Sequence, residues 1–422
     1  MRKIVLEKAS ARASDVVVTG LGAVTPLGAN VTSSWQGMLE GRSGARVLNE
    51  PWAHELPVRI AAPAAVDPAA ALPPAQARRM DRVTQLALMA VHEAWADAGL
   101  DSATELDTER LSVAVSSTIG LETMLAAHQT LQTKGWKHMS PYAVPSLLPN
   151  SSAAQIAIQY GAQGSAHAPV SACASGTEAI GLAADMIRLG RADVVIAGGA
   201  EAPIHPFGLG GFAAMRALSR RNDDPQGASR PFAKSRDGFL LGEGAGIVIL
   251  ESQAHARARG ARVYGRILGI GMSVDGHRIA QPQPEGLGAA KAITRALADA
   301  GLSVTDIAHV NAHATSTPAG DLAEARALHR VCGAHTDQIA VSAPKSMIGH
   351  LQSGSGPVEA ITTLLALYHR VVPPTLNAEE TDDAIGLDIV TGSPRQLPQG
   401  PLAALSNSFG FGGHNATLVL TS

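Results

Sequence analysis

A chain of 422 residues with 45% hydrophobic and 16% charged side chains can bury a large core, which excludes a disordered protein, and its length suggests two or three domain-sized units. A formal net charge of −3 excludes the basic surface that phosphate recognition needs, so no nucleic-acid partner is expected. Cys173 and Cys332 are too few for a disulfide framework, no run of about 18 apolar residues marks a membrane span, and the charged start MRKIVLEKASARAS lacks the apolar heart of a signal peptide.

Those exclusions predict a cytoplasmic protein with a short, mobile N-terminal extension over residues 1–14. Asp15 to Gly20 (DVVVTG) reads as a β-branched strand, followed by a helix around Ser33 to Leu39. The Ala- and Pro-rich stretch from Arg59 to Pro74 reads as a surface excursion. Residues 82–98 have the spacing of an amphipathic helix, and 111–120 (LSVAVSSTIG) that of a buried strand. Ile119, at the end of that strand, is either a pocket-lining residue or ordinary core.

Residues 169–183 (PVSACASGTEAIGLA) place Cys173 among small neighbours between an apolar entry and a helical pattern. The spacing predicts a strand, a tight turn carrying the cysteine, and a helix start. Free backbone N–H groups and the positive end of the helix dipole favour a thiolate or a developing oxyanion there, while small neighbours admit a substrate carbonyl. The alternative is a buried cysteine that only fills space.

A further buried strand follows at 192–199, and alternating strands and helices imply βαβ units with parallel strands covered on both faces. The glycines of GEGAG within 229–250 are not a dinucleotide site, because Ile247 to Leu250 continue as a strand where a helix would be required. Val263 to Gly276, a strand running into glycine, and the helical pattern from Gly288 to Ala300 echo the opening of the chain. Two openings about half a chain apart suggest two similar α/β halves, 15–262 and 263–422.

In the second half, AHVNAHATSTPAGD (308–321) brings His313 out of a strand into a loop with Thr315 and Thr317. His309 and His313 are four apart, but the segment is strand-like and lacks a third ligand at the usual offset, so no metal site is expected. VSAPKSMIGHLQSGSGPVE (341–359) places Lys345 and His350 on a strand-to-loop passage before a helix. In LSNSFGFGGHNATLVL (405–420), Phe409 and Phe411 sit between glycines, either as a gate or as an apolar plug.

Together VSACASG, NAHATSTPAGD, PKSMIGH and SFGFGGHN resemble the elongating β-ketoacyl-acyl carrier protein synthases of the KAS I/II type, from about Asp15 to the C-terminus. His414 after GFGG is similar to the actinobacterial KAS II members. The resemblance implies a thiolase-like fold, with duplicated βαβαβαββ halves stacked as αβαβα layers. It also implies an acyltransferase that joins an acyl chain to malonyl-acyl carrier protein by decarboxylative Claisen condensation in type II fatty acid synthesis, or the ketosynthase subunit of a type II polyketide or polyene synthase.

On that resemblance Cys173 is the nucleophile, and His313 and His350 hold the malonyl thioester carbonyl and the enolate, with Lys345 in support. The amides of Cys173 and Phe411 are the oxyanion hole, with Phe411 the gate in a loop of Gly410, Gly412 and Gly413. Thr315 and Thr317 hold the pantetheine arm; Asp321, Glu359 and Phe409 stand behind the site, and Ile119 faces the acyl chain. Substrates arrive on the phosphopantetheine of acyl carrier protein, no cofactor or metal is called for, and the assembly is a homodimer or a heterodimer with a chain-length factor. Ala314 departs from the Gly of many relatives, and Met347, Ile348 and LQSGSGPVE depart from the usual small-residue run after the second histidine.

Overall fold

A computed structural model describes residues 15–102, 106–118 and 120–422. The N-terminal extension over 1–14 and Ile119 lie outside the described residues. The first half runs β1 (Val16–Val24), α1 (Arg82–Asp97), β2 (Leu111–Ser116), α2 (Ser151–Tyr160), β3 (Ala166–His167), α3 (Ser175–Arg188), β4 (Val194–Glu201) and β5 (Gly244–Ser252). The second runs β6 (Gly265–Val274), α4 (Leu287–Ala300), β7 (Ile307–Asn311), α5 (Pro318–Cys332), β8 (Ala340–Ser342), α6 (Ser355–His369), β9 (Ala403–Gly410) and β10 (His414–Thr421).

Both halves spell βαβαβαββ, and their strand orders match: β3-β2-β4-β5-β1 in one, β8-β7-β9-β10-β6 in the other. In each, the two edge-side neighbours pair in parallel and the closing hairpin is antiparallel. A short antiparallel contact, Val17 with Arg266 and Val18 with Gly265, joins the two into ten strands. Strands buried on both faces read as continuous apolar runs, which is why β4 and β5 show no polar alternation.

Helices α3 and α6 fill the space between the halves, packing Ile180, Ile187, Ile361 and Leu364 against Val195 and Val248 on one side and Ala404 and Leu418 on the other. Outside them, α1 covers the first half through Leu86, Ala90 and Val91, and α4 covers the second through Ile293 and Ala296. The layers are therefore αβαβα, a thiolase-like fold. The two central helices begin at the same end of the molecule, so the turn before α3 and the turn before α6 face one another.

Three local expectations are corrected. Residues 59–74 are not wholly a surface excursion: Ile60 and Ala61 pair with Val47 and Arg46, and Ile60, Ala61 and Ala62 pack with Phe239, Leu240 and Leu241. Pro169 and Val170 are not a strand, since proline has no N–H to give a ladder; the pairing stops at His167 and an extended connection reaches the cysteine. Lys345 does not lie on a loop but begins a one-turn helix, Lys345–Ile348, for which Pro344 supplies a preset φ of −60°.

Candidate active site

Cys173 occupies a 3₁₀ turn, Ala172–Ala174, at the threshold of α3. The turn is tied by the Ser171 N–H donating to Ser175 Oγ at 2.8 Å and the Ser175 hydroxyl donating to the Ala172 carbonyl at 2.6 Å. Ala172 sits at φ 53°, a left-handed conformation costly to a residue with a Cβ, and the clasp holds it there. The strained turn aims the sulfur away from the helix and into a cavity of about 500 Å3.

The loop between β9 and β10 closes over that turn. A Cβ on Gly410 would lie 2.7 Å from the Ser171 carbonyl and 3.0 Å from the Cys173 nitrogen, so only glycine lets the two backbones approach. Gly412 and Gly413, at φ 82° and 75°, then reverse the chain. The result points the amides of both Phe411 and Cys173 at the sulfur.

His313 leaves β7 in a loop whose backbone is fastened by two buried carboxylates. Glu324 accepts the N–H groups of His313 and Ala314 at 2.9 and 2.8 Å, and Asn407 donates to the same carboxylate at 3.1 Å. Asp321 accepts from Ser316 at 3.1 Å and from Phe232 at 2.8 Å. Ala314 and Ser316 have positive φ, 22° and 69°, so the loop is strained and Asp321 and Glu324 hold it. Thr315 and Thr317 share a hydroxyl contact of 3.1 Å on the cavity wall, and Thr317 also caps α5.

His350 follows the one-turn helix and presents Nε2 to Cys173 Sγ at 3.1 Å. The rings of His313 and His350 stand edge-to-face with centroids 5.4 Å apart, so both border one space beside the sulfur. The Leu351 N–H donates to Ser355 Oγ at 2.8 Å, and that oxygen lies 3.0 Å from His350 Nδ1. When the hydroxyl hydrogen turns to Nδ1, the ring carries its own hydrogen on Nε2, toward the sulfur. Lys345 and Glu359 form an ion pair at the back of the site, 1% and 0% exposed.

The electrostatics differ from the helix-start argument. Burial pushes the Cys173 thiol up to about 11, against the opposing pull of Lys345 and the two amides. A sulfur enclosed in apolar surroundings loses more hydration than one helix terminus restores. Burial likewise drives His313 and His350 well below the ordinary imidazole range, and the positive Lys345 adds to it. Both rings rest neutral and can donate a hydrogen bond without carrying charge.

Phe409 lies against the His313 ring at 5.8 Å, and Phe411 faces Phe212 at 6.4 Å, both on the cavity wall. The structure thus brings together Cys173, His313, His350, Phe411, Gly410, Gly413, Thr315, Thr317 and Phe409 around one cavity. Lys345, Glu359 and Asp321 stand outside that wall. Sequence reasoning missed Glu324, Ser355, Gln352 and Asn407. Ser355 and Gln352 carried a signal, since both fall in the stretch that departs from the family pattern.

A buried thiol, two neutral imidazoles and paired amides meet at the crossing of two thiolase-like halves, the arrangement of a condensing enzyme of acyl thioesters. The chain belongs to the β-ketoacyl synthase family: the model of the N-terminal domain matches residues 13–256 and that of the C-terminal domain residues 264–379. Among curated relatives, 3-oxoacyl-[acyl-carrier-protein] synthase 2 of Synechocystis sp. is 45% identical over 406 residues, 96% of this chain and 97% of that protein. Among solved structures, a beta-ketoacyl synthase from Burkholderia phymatum superposes with TM-score 0.88 at 35% identity, covering 96% of this chain and 98% of that one. A ketosynthase bound to the hexaketide, in complex with its type II polyketide synthase acyl-carrier protein, superposes with TM-score 0.87 at 32% identity over 97% and 99%.

Proposed function

We propose that this protein is a β-ketoacyl-acyl carrier protein synthase, an acyltransferase that lengthens an acyl chain held on Cys173 by decarboxylative condensation with malonyl-acyl carrier protein in type II fatty acid synthesis. The observation that carries the reading is the 3.1 Å approach of His350 Nε2 to Cys173 Sγ, with the His313 ring beside it and two amides on the sulfur. In the first step the sulfur of Cys173 attacks the acyl thioester, and the amides of Cys173 and Phe411 take the tetrahedral oxyanion. The carrier's pantetheine thiol leaves with the proton that Cys173 gives up.

In the second step the Nε2–H groups of His313 and His350 hold the malonyl thioester oxygen as CO2 departs. The electron pair released forms the new C–C bond to the acyl carbonyl carbon, the C–S bond to Cys173 breaks, and the departing sulfur takes up a proton from solvent to restore the thiol. Loss of CO2 supplies the carbanion, so no strong base, metal or redox group takes part. Burial keeps both imidazoles neutral with the charge of Lys345 adding to it, Glu359 holds Lys345, and Asp321 fixes the 313–317 loop. Thr315 and Thr317 meet the pantetheine arm, with Phe409 packed on His313 and Phe411 swinging on Gly410, Gly412 and Gly413 as the gate.

Acyl carrier protein is the partner, the compartment is the cytoplasm, and the assembly is a dimer whose two domains per chain divide near residue 262. A second reading, the ketosynthase subunit of a type II polyketide or polyene synthase working with a chain-length factor, is favoured by the likeness to the hexaketide-bound ketosynthase. Incubating the protein with acyl-acyl carrier protein and then malonyl-acyl carrier protein tests the reading. An acyl adduct on Cys173 followed by a 3-oxo product extended by two carbons supports it. A Cys173→Ala protein that still transfers acyl groups overturns the assignment.

A further inference from the structure

A neutral imidazole carries one ring hydrogen, and the chemistry above works only if that hydrogen of His350 is on Nε2. The sulfur beside it does not make the choice. A thiol can accept from an Nε2–H, or give its own hydrogen to a bare Nε2, across the same 3.1 Å. The choice therefore falls to whatever touches Nδ1. That neighbour is Ser355 Oγ at 3.0 Å, on a side chain that is fully buried at the first residue of α6.

Ser355 Oγ has two hydrogen-bond neighbours among the described residues, the Leu351 N–H at 2.8 Å and His350 Nδ1. The first can only donate, so it anchors the oxygen to the backbone that follows the histidine. The second leaves two arrangements to compare. If the hydroxyl donates to Nδ1, the ring hydrogen sits on Nε2 and meets the sulfur, and the thiol hydrogen has the Gln352 Oε1 at 3.5 Å. Every donor in that chain is then paired. If instead Nδ1–H donates to Oγ, the oxygen accepts twice and its own hydrogen has no acceptor at a position closed to water. A buried donor left unpaired disfavours that arrangement by about tenfold or more.

We infer that Ser355 is a positioning residue for His350: its hydroxyl, anchored by the Leu351 N–H, donates to Nδ1 and so keeps Nε2 protonated as the donor that the malonyl thioester oxygen meets. The inference rests on the reading of His350 as that donor and deepens it by naming the side chain that sets it. With the hydrogen on the other nitrogen, a lone pair would face the negative oxygen as CO2 departs. Acyl loading depends on the Cys173 and Phe411 amides and is not held to the same nitrogen.

The test is Ser355→Ala in the full-length protein, with two readouts. In two-bond proton–nitrogen spectra of the histidine-labelled protein, with the His350 signals identified by their loss in His350→Ala, the wild type is expected to show Nε2 as the protonated nitrogen and Nδ1 as the bare one. Ser355→Ala is expected to move both nitrogens toward each other as the second tautomer is populated. In the same variant, CO2 release from a malonyl pantetheine thioester is expected to fall about tenfold, while acyl loading on Cys173 changes less than about twofold. Ring nitrogens that Ser355→Ala leaves in place, a wild type with Nδ1 protonated, or loading and CO2 release that stay unchanged or fall together would each overturn the inference while leaving the acyl-enzyme reading intact. A wild type that loads no acyl group and releases no CO2 overturns that reading instead, and the ring signals still decide whether Ser355 sets the tautomer.

Discussion

The alkylation of Cys173 as a function of pH decides whether burial or the helix terminus governs the sulfur. With the thiol pushed up to about 11, four pH units separate it from neutrality, so about one molecule in 10⁴ carries a thiolate at pH 7. A free thiol near 8.5 is about 3% ionised at the same pH, roughly 300 times more. A thiolate of higher basicity is also the stronger nucleophile, which returns a factor of about 10 to 20. Cys173 should therefore react with iodoacetamide about 20-fold more slowly than free cysteine at pH 7.

The shape of the profile is the sharper measurement. The rate at Cys173 should climb about tenfold per pH unit from 7 to 10, where a free thiol levels off just above 8.5. Site-resolved peptide mapping keeps Cys332, which burial also raises to about 11, out of the signal. Lys345→Met removes the charge that most opposes burial and should slow the reaction further. A rate that levels off below pH 8 would refute the reasoning, for it would mean that the dipole and the amides outweigh desolvation.

His313→Ala and His350→Ala should depress malonyl decarboxylation far more than acyl loading onto Cys173; the opposite order, read by CO2 release against adduct formation, would remove the imidazoles from the enolate step. Lys345→Met leaves the Glu359 carboxylate buried without its cation and should lower unfolding stability by about 3 kcal/mol or more at pH 8, measured by urea titration. The loss should shrink as pH falls and Glu359, which burial raises to about 7 even beside Lys345 and higher without it, takes a proton, and Lys345→Met/Glu359→Gln should recover most of it. Glu201 is likewise raised by burial to about 7, so its native proton is retained where the unfolded chain, near 4.5, has lost one. Its contribution to stability is full below pH 4.5 and lost as pH rises to 7, and Glu201→Gln should gain on the wild type over that window by up to about 3 kcal/mol. A difference in melting temperature that stays flat from pH 4.5 to 7.5 would show that Glu201 does not carry the proton.

Sequence spacing made the helices and buried strands legible because each has one period. Arg82 to Asp97 shows its apolar stripe, Asp81 caps it, and the continuous apolar runs at 194–201 and 244–252 mark strands covered on both faces. Edge and connecting segments were less legible. Val170 is β-branched and reads as strand, yet Pro169 ends the pairing, and Ile60 and Ala61 read as loop because their partners at 46–47 and 239–241 are distant in sequence. Lys345 reads as loop since a four-residue helix is too short to show a period.

Sequence motifs determined much of the site, because VSACASG, NAHATSTPAGD, PKSMIGH and SFGFGGHN together resemble one family whose chemistry they imply. What the tertiary structure decided is the state in which those groups wait. Cys173 and His350 are 177 positions apart, and only the facing starts of α3 and α6 bring Nε2 to 3.1 Å from the sulfur. Protonation follows from enclosure, because desolvation is a property of everything packed around an atom and not of its neighbours in the chain. That is also why Glu324, Ser355 and Gln352 came to light only in three dimensions, each acting across a fold contact on a backbone, a ring or a sulfur that the linear order does not place beside it.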